Sequence, residues 1–313
     1  MKRFLPGRVR GVICAFLIFC NTVFWMFPLF TTGFLKFVIP VPASRTWFSK
    51  AVTFVCAAWN GCNNTIFKFM LNVKWDIAGA DNLKKNDSYL VLSNHQTWVD
   101  ILVLENVFLG KIPFLKFFIK QELMWIPVLG FSWWALDYPV MKRYSKEVLE
   151  KNPHLKGTDL DTTRKACEKF KTMPVSVMNF AEGTRFTKEK HQRQQSPFKH
   201  LLRPKAGGTA FALNALSDHL HAMLNVTIVY PRGVKNLWEF LCGELDEVVV
   251  RIERMPIPRD ILGNYDNDPE YRKHFQDWLN SLWLEKDKQI QCIIEQNNRM
   301  RATARQDKAG FAN

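Results

Sequence analysis

Residues 89–100 read Tyr-Leu-Val-Leu-Ser-Asn-His-Gln-Thr-Trp-Val-Asp, and this stretch decides how the rest of the chain is interpreted. The apolar run at 89–92 predicts a buried strand, and the polar residues after it predict a turn into a helix. Binding sites in open α/β sheets lie at such strand ends. His95 and Asp100 are five residues apart here, so the carboxylate can fold back on the imidazole. An aspartate that holds one ring nitrogen as N–H leaves the other free to accept a proton.

The sequence around His95 has no serine or cysteine in an obvious nucleophile turn. We therefore expect the histidine to activate a hydroxyl group of the substrate and not one of the protein. A single His–Asp pair is more often structural than catalytic, because any long chain contains such pairs at short spacing. The catalytic interpretation needs a second signal.

A second strand end supplies that signal. Residues 174–178 (Pro-Val-Ser-Val-Met) predict another strand, and residues 179–187 continue it as Asn-Phe-Ala-Glu-Gly-Thr-Arg-Phe-Thr. This polar turn contains two charged residues, Glu182 and Arg185, and a glycine, Gly183, that lets the backbone approach a ligand closely. Two polar turns of this kind predict one shared site.

Taken together and in this order, the two segments resemble the glycerolipid acyltransferase family, whose best-known members are the lysophosphatidate acyltransferases of the PlsC type. The first block of that family is an Asn-His pair with an aspartate five residues after the histidine, here Asn94, His95 and Asp100. Its third block is Glu-Gly-Thr-Arg, here residues 182–185. These two blocks are specific.

Two looser blocks extend the resemblance over residues 74–231. The second block ends in an arginine, which Arg143 matches, although Lys142 replaces the usual acidic residue before it. The fourth block is an apolar strand that ends in proline, which residues 226–231 match. The sequence resembles the YihG-type branch of bacterial acyltransferases, and its Asn-His-Gln and Glu-Gly-Thr-Arg-Phe-Thr stretches also resemble eukaryotic lysophospholipid acyltransferases.

The resemblance implies an α/β fold with a mixed central sheet flanked by helices, preceded by a membrane helix or hairpin. We expect an N-terminal membrane anchor at residues 1–72, a catalytic domain at 73–260 and a C-terminal helical extension at 261–313. Apolar periodicity predicts helices at 207–216 and 268–300 and a strand at 248–252. Residues 164–172 are predicted to form a helix, and 187–205 a polar, basic loop in reach of a phosphate or an acyl carrier.

The resemblance also implies the reaction and the residues that carry it. His95, oriented by Asp100, would remove the proton from the sn-2 hydroxyl of lysophosphatidate as it attacks an acyl thioester. Arg143 and Arg185 would grip the phosphate, with Lys120 as a further candidate, and Gly183 would offer it a backbone N–H. Glu182 would orient Arg185 or bind the head group, and Thr184 could hydrogen-bond the phosphate. The predicted substrate-binding residues are Lys120, Arg143, Glu182, Gly183, Thr184 and Arg185.

A membrane segment is predicted near the N-terminus. Residues 11–35 carry no charge, and as a helix they would span about 37 Å, more than a hydrocarbon core. The apolar region is too long for a cleaved signal peptide. Basic residues flank it on both sides, among them Lys36, so both flanks favour the cytoplasmic side. A re-entrant hairpin bent at Pro28 or at residues 40–42 would satisfy both, with residues 47–71 as an interfacial return leg.

A third apolar patch, residues 123–136, contains three tryptophans, a proline and a glycine. It is too short and too broken for a helical span, and its indole rings favour the membrane interface. A core helix and turn would give the same pattern. The sequence therefore predicts an inner-membrane enzyme whose site faces the cytoplasm, where acyl thioesters are made.

The net charge of +14 over 313 residues indicates an anionic partner, which is nucleic acid, acidic lipid or a phosphorylated substrate. The aromatic residues stand in apolar runs and no nucleic-acid module is recognisable, which argues against nucleic acid. The seven cysteines are scattered singly, which favours a reduced protein without disulfides or zinc. The reaction requires no metal or redox cofactor.

Three functions remain open from the sequence. The first is acyl transfer to lysophosphatidate from acyl-coenzyme A or acyl-acyl carrier protein, to give phosphatidate. The second is acyl transfer to another acceptor, glycerol-3-phosphate or a different lysophospholipid. The third is a basic, membrane-tethered binding protein without catalysis, which would tolerate the loss of His95.

Overall fold

A helical hairpin precedes the α/β sheet in the computed structural model, which describes residues 5–39, 41–126, 129–141, 167, 170, 173–265 and 267–310. Helix α1 (Gly7–Val38) ends before Ile39, and helix α2 (Pro42–Met70) packs back against it. Of the two predicted bends the second is therefore correct, since Pro28 lies inside α1 without ending it. Among the described residues, α1 is the one helix long and apolar enough to cross a membrane.

Polar contacts join the two helices of the hairpin. Asn21 Nδ2 donates to Asn63 Oδ1 at 2.9 Å and to the Trp59 carbonyl at 3.1 Å. The Trp59 indole N–H donates to Thr22 Oγ1 at 3.2 Å. The outer face of α1 is different, because phenylalanines stand exposed along it, including Phe16, Phe19, Phe24 and Phe27. Interhelical hydrogen bonds with an apolar exterior are typical of helices that pack in lipid.

The central sheet is mixed, as predicted. Its strand order is β1-β8-β7-β2-β6-β3, and every neighbouring pair is parallel except β7 and β8. A separate parallel pair, β4 and β5, lies beside it. The strands are β1 (Lys74–Ala78), β2 (Tyr89–Ser93), β3 (Leu115–Phe117), β4 (Ile119–Lys120), β5 (Val140–Met141), β6 (Ser176–Phe180), β7 (Ala222–Val229) and β8 (Glu247–Met255).

Helices connect and cover these strands. The helices after the hairpin are α3 (Val99–Phe108), α4 (Leu129–Ala135), α5 (Lys188–Gln194), α6 (Ala206–Leu216), α7 (Leu237–Leu241) and α8 (Pro269–Gly310), with 3-10 turns at Gln121–Trp125, Ser217–His219 and Arg259–Ile261. The predicted helices at 207–216 and 268–300 correspond to α6 and α8. Most of the predicted helix at 164–172 lies outside the described residues.

Both faces of the sheet are covered, which explains why β2 reads as a continuous apolar run. Alternate residues of a strand point to opposite faces. Tyr89 and Val91 therefore lie in the core shared with α3 and the hairpin, whereas Leu90 and Leu92 lie in the core shared with α6 and α8. The second core contains Trp283 of α8, whose side chain is fully buried. Burial of such a side chain stabilises the fold by about 1.5–3 kcal/mol.

A buried ion pair fastens α4 to the hairpin. The Lys36 ammonium lies 2.6 Å from Asp137 Oδ2 and donates to the Ala135 carbonyl at 2.8 Å. Ser49 of α2 donates to the same Asp137 oxygen at 2.6 Å. Lys36, which the sequence counts among the positive residues flanking the membrane segment, is thus buried and paired inside the protein.

The predicted loop at 187–205 contains a helix, α5, so that prediction is wrong for residues 188–194. Thr187 is the N-cap residue, and its hydroxyl accepts from the Lys190 N–H at 3.2 Å. Side-chain capping supplies a partner that the first turn of a helix lacks. The helix ends at Gln194, and its C-cap residue Gln195 has a left-handed φ of 45°. The sequence prediction missed this short capped helix because the segment is highly charged.

Candidate active site

The His95–Asp100 pair lies in the turn between β2 and α3, as the sequence predicts. His95 Nδ1 is 2.8 Å from Asp100 Oδ2, and the Asp100 side chain is fully buried in the first turn of α3. A helix N-terminus favours a negative charge. With Nδ1–H donated to the carboxylate, Nε2 carries the free lone pair, and it has no hydrogen-bond partner among the described residues. This imidazole can accept a proton from a ligand.

The Asp100 carboxylate accepts from three further donors. The backbone N–H groups of Gln96 and Thr97 donate to Oδ2, the latter at 2.9 Å. The hydroxyl of Tyr230, directly after β7, donates to Oδ1 at 2.6 Å. Burial and the Asp100 charge raise the pKa of Tyr230 well above its usual value, so the phenol keeps its proton. These donors hold the carboxylate in one orientation towards His95.

Replacing Tyr230 with phenylalanine is expected to lower kcat about tenfold or more and to leave KM nearly unchanged. The variant loses a hydrogen bond to a charged group, which is worth about 1.5–3 kcal/mol. The lost hydrogen bond orients the base and does not contact the substrate, so kcat should fall while KM stays nearly unchanged. Steady-state kinetics checks this, with Tyr271→Phe as the matched control because its hydroxyl donates to the Ile261 carbonyl on the C-terminal segment. An unchanged kcat in Tyr230→Phe would contradict the prediction.

Asn94 fixes the turn to the neighbouring strand. Its side-chain amide donates to the Ile228 carbonyl and accepts from the Ile228 N–H, both at 2.9 Å. Gln96 Nε2 donates to the same carbonyl at 2.8 Å. Asn94 therefore binds β7 beyond the end of the strand ladder and does more than cap its own turn. This contact fixes the position of the backbone at the end of β2, directly before His95.

The Glu-Gly-Thr-Arg turn after β6 binds the backbone of His95 from both sides. The His95 N–H donates to Glu182 Oε1 at 3.2 Å, and the His95 carbonyl accepts from the Phe186 N–H at 2.8 Å. The rings of His95 and Phe180 stack with 3.9 Å between centroids. The two segments singled out in the sequence thus meet at one site, as expected.

The geometry changes the expected role of Glu182. Its side chain is fully buried, and its second oxygen accepts from the Leu202 N–H at 3.0 Å, so the carboxyl joins two backbone segments. Among the described residues, no hydrogen bond or ion pair joins it to Arg185. Burial raises the pKa of Glu182 to about 8, whereas the two N–H groups and the buried Lys286 ammonium act against that shift.

Lys286 belongs to α8, which the sequence assigned to a separate extension. Its buried ammonium donates to the Val226 carbonyl and, at 3.3 Å, to Thr227 Oγ1. Burial lowers its pKa to about 7, and the charge of Glu182 opposes this. The C-terminal helix therefore places a titratable cation beneath the strand ends that carry the site.

Gly183 does not offer its N–H to a ligand, contrary to the expectation, because that group donates to the Phe180 carbonyl at 2.8 Å. A glycine is required here for two other reasons. Its φ is +66°, and a Cβ at this position would lie 2.9 Å from Cδ of Lys205. The Lys205 side chain therefore crosses directly over the turn, which brings a cation to the site.

Arg185 and Thr184 both have cationic or aromatic neighbours. The exposed Arg185 guanidinium stacks over the Trp98 ring, 4.7 Å from its centre. Thr184 Oγ1 accepts from the Lys190 ammonium at 2.7 Å, which also donates to the Arg185 carbonyl at 3.1 Å. Lys190 comes from α5. The described positive groups at this turn thus include Arg185, Lys190 and Lys205. The sequence predicted a substrate role for Arg185 and counted Lys190 and Lys205 within the basic segment at 187–205.

Two predicted site residues remain, Lys120 and Arg143. Lys120 is in β4 and pairs in register with Met141 of β5. Arg143 lies outside the described residues, two positions beyond the end of β5. The backbone of this pair of strands therefore brings residues 120 and 141 together, and the role of both predicted cations stays a prediction.

An apolar cavity of about 370 Å³ lies between the hairpin and the catalytic domain. Its walls come from α1, α2, α3 and α4, including Met26, Val55 and Ile101. Phe117 lines it and stacks on Phe180, which in turn stacks on His95. The Phe117 and Phe180 rings therefore link the wall of this cavity to the His95 ring.

Comparison with known proteins adds a family match. Residues 74–231, slightly more than half of the 313-residue chain, match the family described as Acyltransferase. The probable 1-acyl-sn-glycerol-3-phosphate acyltransferase 5 of Arabidopsis thaliana is 27% identical over 291 residues, which cover 89% of this chain and 72% of the plant protein. The YihG-type branch predicted from the sequence stays a prediction.

The matches to two mammalian relatives cover a smaller share of those proteins. The mouse 1-acyl-sn-glycerol-3-phosphate acyltransferase epsilon is 24% identical over 231 residues, 67% of this chain and 59% of the mouse protein. The human 1-acyl-sn-glycerol-3-phosphate acyltransferase gamma is 26% identical over 228 residues, 68% of this chain and 54% of the human protein. The chain therefore spans between half and two thirds of these relatives.

A solved structure confirms the predicted fold. The 1-acyl-sn-glycerophosphate (LPA) acyltransferase PlsC from Thermotoga maritima superimposes with a TM-score of 0.50 at 18% identity. The match covers 90% of this chain and 98% of the Thermotoga chain. It includes the α/β sheet and its flanking helices.

Proposed function

Since the chain belongs to the acyltransferase family, we propose that it transfers a fatty acyl group from an acyl thioester to the sn-2 hydroxyl of lysophosphatidate, which gives phosphatidate. The observation that carries the proposal is the His95–Asp100 pair, whose Nε2 has no hydrogen-bond partner among the described residues. The cationic groups at the Glu-Gly-Thr-Arg turn and an apolar cavity linked to the His95 ring through Phe180 and Phe117 support it. A phosphate and a hydrocarbon chain are the two ends of this acceptor.

The proposed mechanism is general base catalysis by His95. Nε2 takes the proton of the sn-2 hydroxyl as the oxygen attacks the thioester carbonyl carbon. Asp100 stabilises the imidazolium that forms. The tetrahedral intermediate then expels the thiolate as the C–S bond breaks, and the imidazolium returns its proton to the sulfur. The products are the ester and a free thiol, so charge and atoms balance.

The acceptor phosphate is proposed to bind at the Glu-Gly-Thr-Arg turn. Arg185 offers a planar fork that suits a phosphate, and the Trp98 ring keeps the guanidinium in place. Lys190 and Lys205 add positive charge to the same turn. Arg143 and Lys120 remain proposed partners of the phosphate.

The apolar cavity is proposed to hold the acyl chain, and the hairpin to hold the enzyme in a membrane. The exposed phenylalanines of α1 and the 85% exposed Trp125 ring support this placement. The proposal includes the predicted location at the cytoplasmic face of the inner membrane. The donor would be acyl-coenzyme A or acyl-acyl carrier protein, since both of these molecules are anionic and the surface around α5 is basic.

Acyl transfer assays with a panel of acceptors test the proposed function. Membranes enriched in the protein would receive labelled acyl-coenzyme A with lysophosphatidate, glycerol-3-phosphate or lysophosphatidylcholine. Formation of phosphatidate above background supports the proposal. Transfer to one of the other acceptors alone would assign the enzyme a different acceptor. If neither acyl-coenzyme A nor acyl-acyl carrier protein gave transfer to any acceptor, the binding-protein alternative would be favoured.

Replacing Arg185 with alanine is expected to raise KM for lysophosphatidate by about 10- to 100-fold, because it removes charge-assisted hydrogen bonds worth about 1.5–3 kcal/mol. Arg185→Lys should recover part of the loss, since it keeps the charge without the fork. The control is Arg193→Ala, which removes an exposed arginine of α5. An equal effect of Arg193→Ala would assign the loss to overall surface charge.

A further inference from the structure

Helix α8 carries two adjacent charged residues, Lys286 and Asp287, whose side chains are both buried. A charged side chain is rarely buried without partners, because burial removes its hydration. Both residues lie outside residues 74–231, the segment that matches the family. The proposed mechanism uses neither of them, so their role in the molecule is still to be assigned.

Lys286 binds β7, the strand that fixes the catalytic turn. Its ammonium donates to the Val226 carbonyl and, at 3.3 Å, to Thr227 Oγ1. The next residue of β7, Ile228, exchanges two hydrogen bonds with the Asn94 side chain. The ammonium is therefore held beneath the sheet, directly before the point where β7 fastens the turn.

Asp287 binds the segment that supplies a donor to Glu182. Its carboxylate accepts from the backbone N–H groups of Lys199 at 2.9 Å and His200 at 2.7 Å. Two residues further along, the Leu202 N–H donates to Glu182 Oε2 at 3.0 Å. Neighbouring residues of α8 thus reach the surroundings of Glu182 from two sides.

The charges of Lys286 and Glu182 favour each other. Burial lowers the pKa of Lys286 and raises the pKa of Glu182, whereas the attraction between the two charges opposes both changes. Two other charged groups act on this pair. Glu253 of β8 favours the ammonium form of Lys286, and Asp100 disfavours the carboxylate form of Glu182. Lys286 is therefore the cation that offsets the effect of Asp100 on Glu182.

The ionised form of Glu182 is the one that suits its two backbone partners. Its oxygens accept from the N–H groups of His95 at 3.2 Å and Leu202 at 3.0 Å. A carboxylate only accepts hydrogen bonds, whereas a protonated carboxyl carries a donor on one oxygen. Protonation would therefore weaken one of the two contacts, and the backbone of His95 would be held less firmly.

We propose that Lys286 is a positioning residue for acyl transfer, because its ammonium favours the ionised form of Glu182 that holds the backbone of His95. This inference rests on the proposed function. Lys286 touches neither substrate, and it acts on the base only through Glu182. The C-terminal helix is then part of the catalytic unit.

The pH dependence of kcat tests this role. Lys286→Met is expected to move the acid limb of the kcat profile to higher pH by about one pH unit, because loss of the cation raises the pKa of Glu182. At a pH on that limb kcat should fall about tenfold, with little change in KM for lysophosphatidate. Lys288→Met is the matched control, since Lys288 is an exposed lysine of the same helix that pairs with Glu285 at 2.8 Å.

A merely structural role predicts a different result. Lys286→Met would then lower the midpoint of thermal unfolding and leave the acid limb of kcat where it is in the wild type. That outcome would overturn the inference. An equal movement of the acid limb in Lys288→Met would overturn it as well, because the effect would then come from the overall charge of α8.

A double variant covers the case in which Lys286→Met does not fold. Lys286→Met alone leaves a buried carboxyl without its counter-charge, whereas Glu182→Gln, Lys286→Met removes both charges. If Lys286 acts through Glu182, the double variant should have the kcat of Glu182→Gln alone. A kcat well below that value would show that Lys286 acts by another route, which contradicts the proposal.

Amide hydrogen exchange distinguishes this inference from the proposed function, because it needs no turnover. An inactive wild type would contradict the proposed function alone. Lys286→Met should speed exchange in the peptide that contains the His95 N–H, with Lys288→Met unchanged and residues 89–92 of β2 still protected. Equal exchange at His95 in the wild type and Lys286→Met would overturn the inference, as would faster exchange throughout β2.

Discussion

Replacing His95 with alanine will lower the rate of acyl transfer by about 10²- to 10⁴-fold, the contribution expected of a positioned general base. The loss should fall mainly on kcat, because Nε2 meets the acceptor hydroxyl and not the phosphate or the acyl chain. Asp100→Asn should have an effect of similar order, since an amide cannot stabilise the imidazolium as a buried carboxylate does. Initial rates in membranes with matched protein levels would measure both.

His274→Ala is the matched control for this prediction. His274 is an exposed histidine of α8 that pairs with Asp260 at 2.9 Å, away from the site. It should keep full activity. If His95→Ala retained more than a tenth of the wild-type rate, His95 would not be the base, and the family likeness would then concern the fold alone. Loss of activity in all three variants would indicate unfolding.

The second large effect is expected on stability. Asp137→Asn should lower the free energy of unfolding by about 3 kcal/mol, because it leaves the Lys36 ammonium buried without its counter-ion. Asparagine suits the test, since Asp137 has a φ of 57° and asparagine tolerates this left-handed conformation. The midpoint of unfolding in detergent, followed by tryptophan fluorescence, would report the change.

The double variant Lys36→Met, Asp137→Asn separates charge from packing. Removal of both charges abolishes the unpaired cation, so the double variant should recover most of the stability that the single variant loses. A double variant that is as unstable as Asp137→Asn would show that the loss comes from the hydrogen bonds of Ser49 and the Ala135 carbonyl and not from the ion pair.

The parts of the fold predicted from the sequence are those with a local signal. The strand at 89–92 is an apolar run because both of its faces are covered, and the pairing of His95 with Asp100 follows from a spacing of five residues. The mixed order of the sheet came from the family resemblance, since periodicity does not report which strands pair. The short helix α5 was missed because its high charge outweighed the capping signal of Thr187.

The parts that could not be predicted depend on contacts distant in sequence. Tyr230 reaches Asp100 from 130 residues away. It lies in the fourth block at residues 226–231, but that block describes only an apolar strand that ends in proline and predicted no role for the tyrosine. Glu182 was assigned to substrate because it stands in a charged turn, yet its carboxyl binds two backbone N–H groups that no local pattern reveals. Lys36 was counted as a flanking charge because its partner Asp137 lies 101 residues further on, where no local pattern reveals the pairing.

The pairing of β1 with β8 has a consequence for how the chain acquires its structure. β1 is the first strand to be synthesised, yet its partner in the sheet begins at residue 247, and the face containing Leu90 is covered only after α8 follows. Contacts between such distant segments slow folding, because a long loop must close before they form. The apolar hairpin is complete long before that, so the nascent chain can dock on its membrane while its catalytic half is still an open, aggregation-prone sheet.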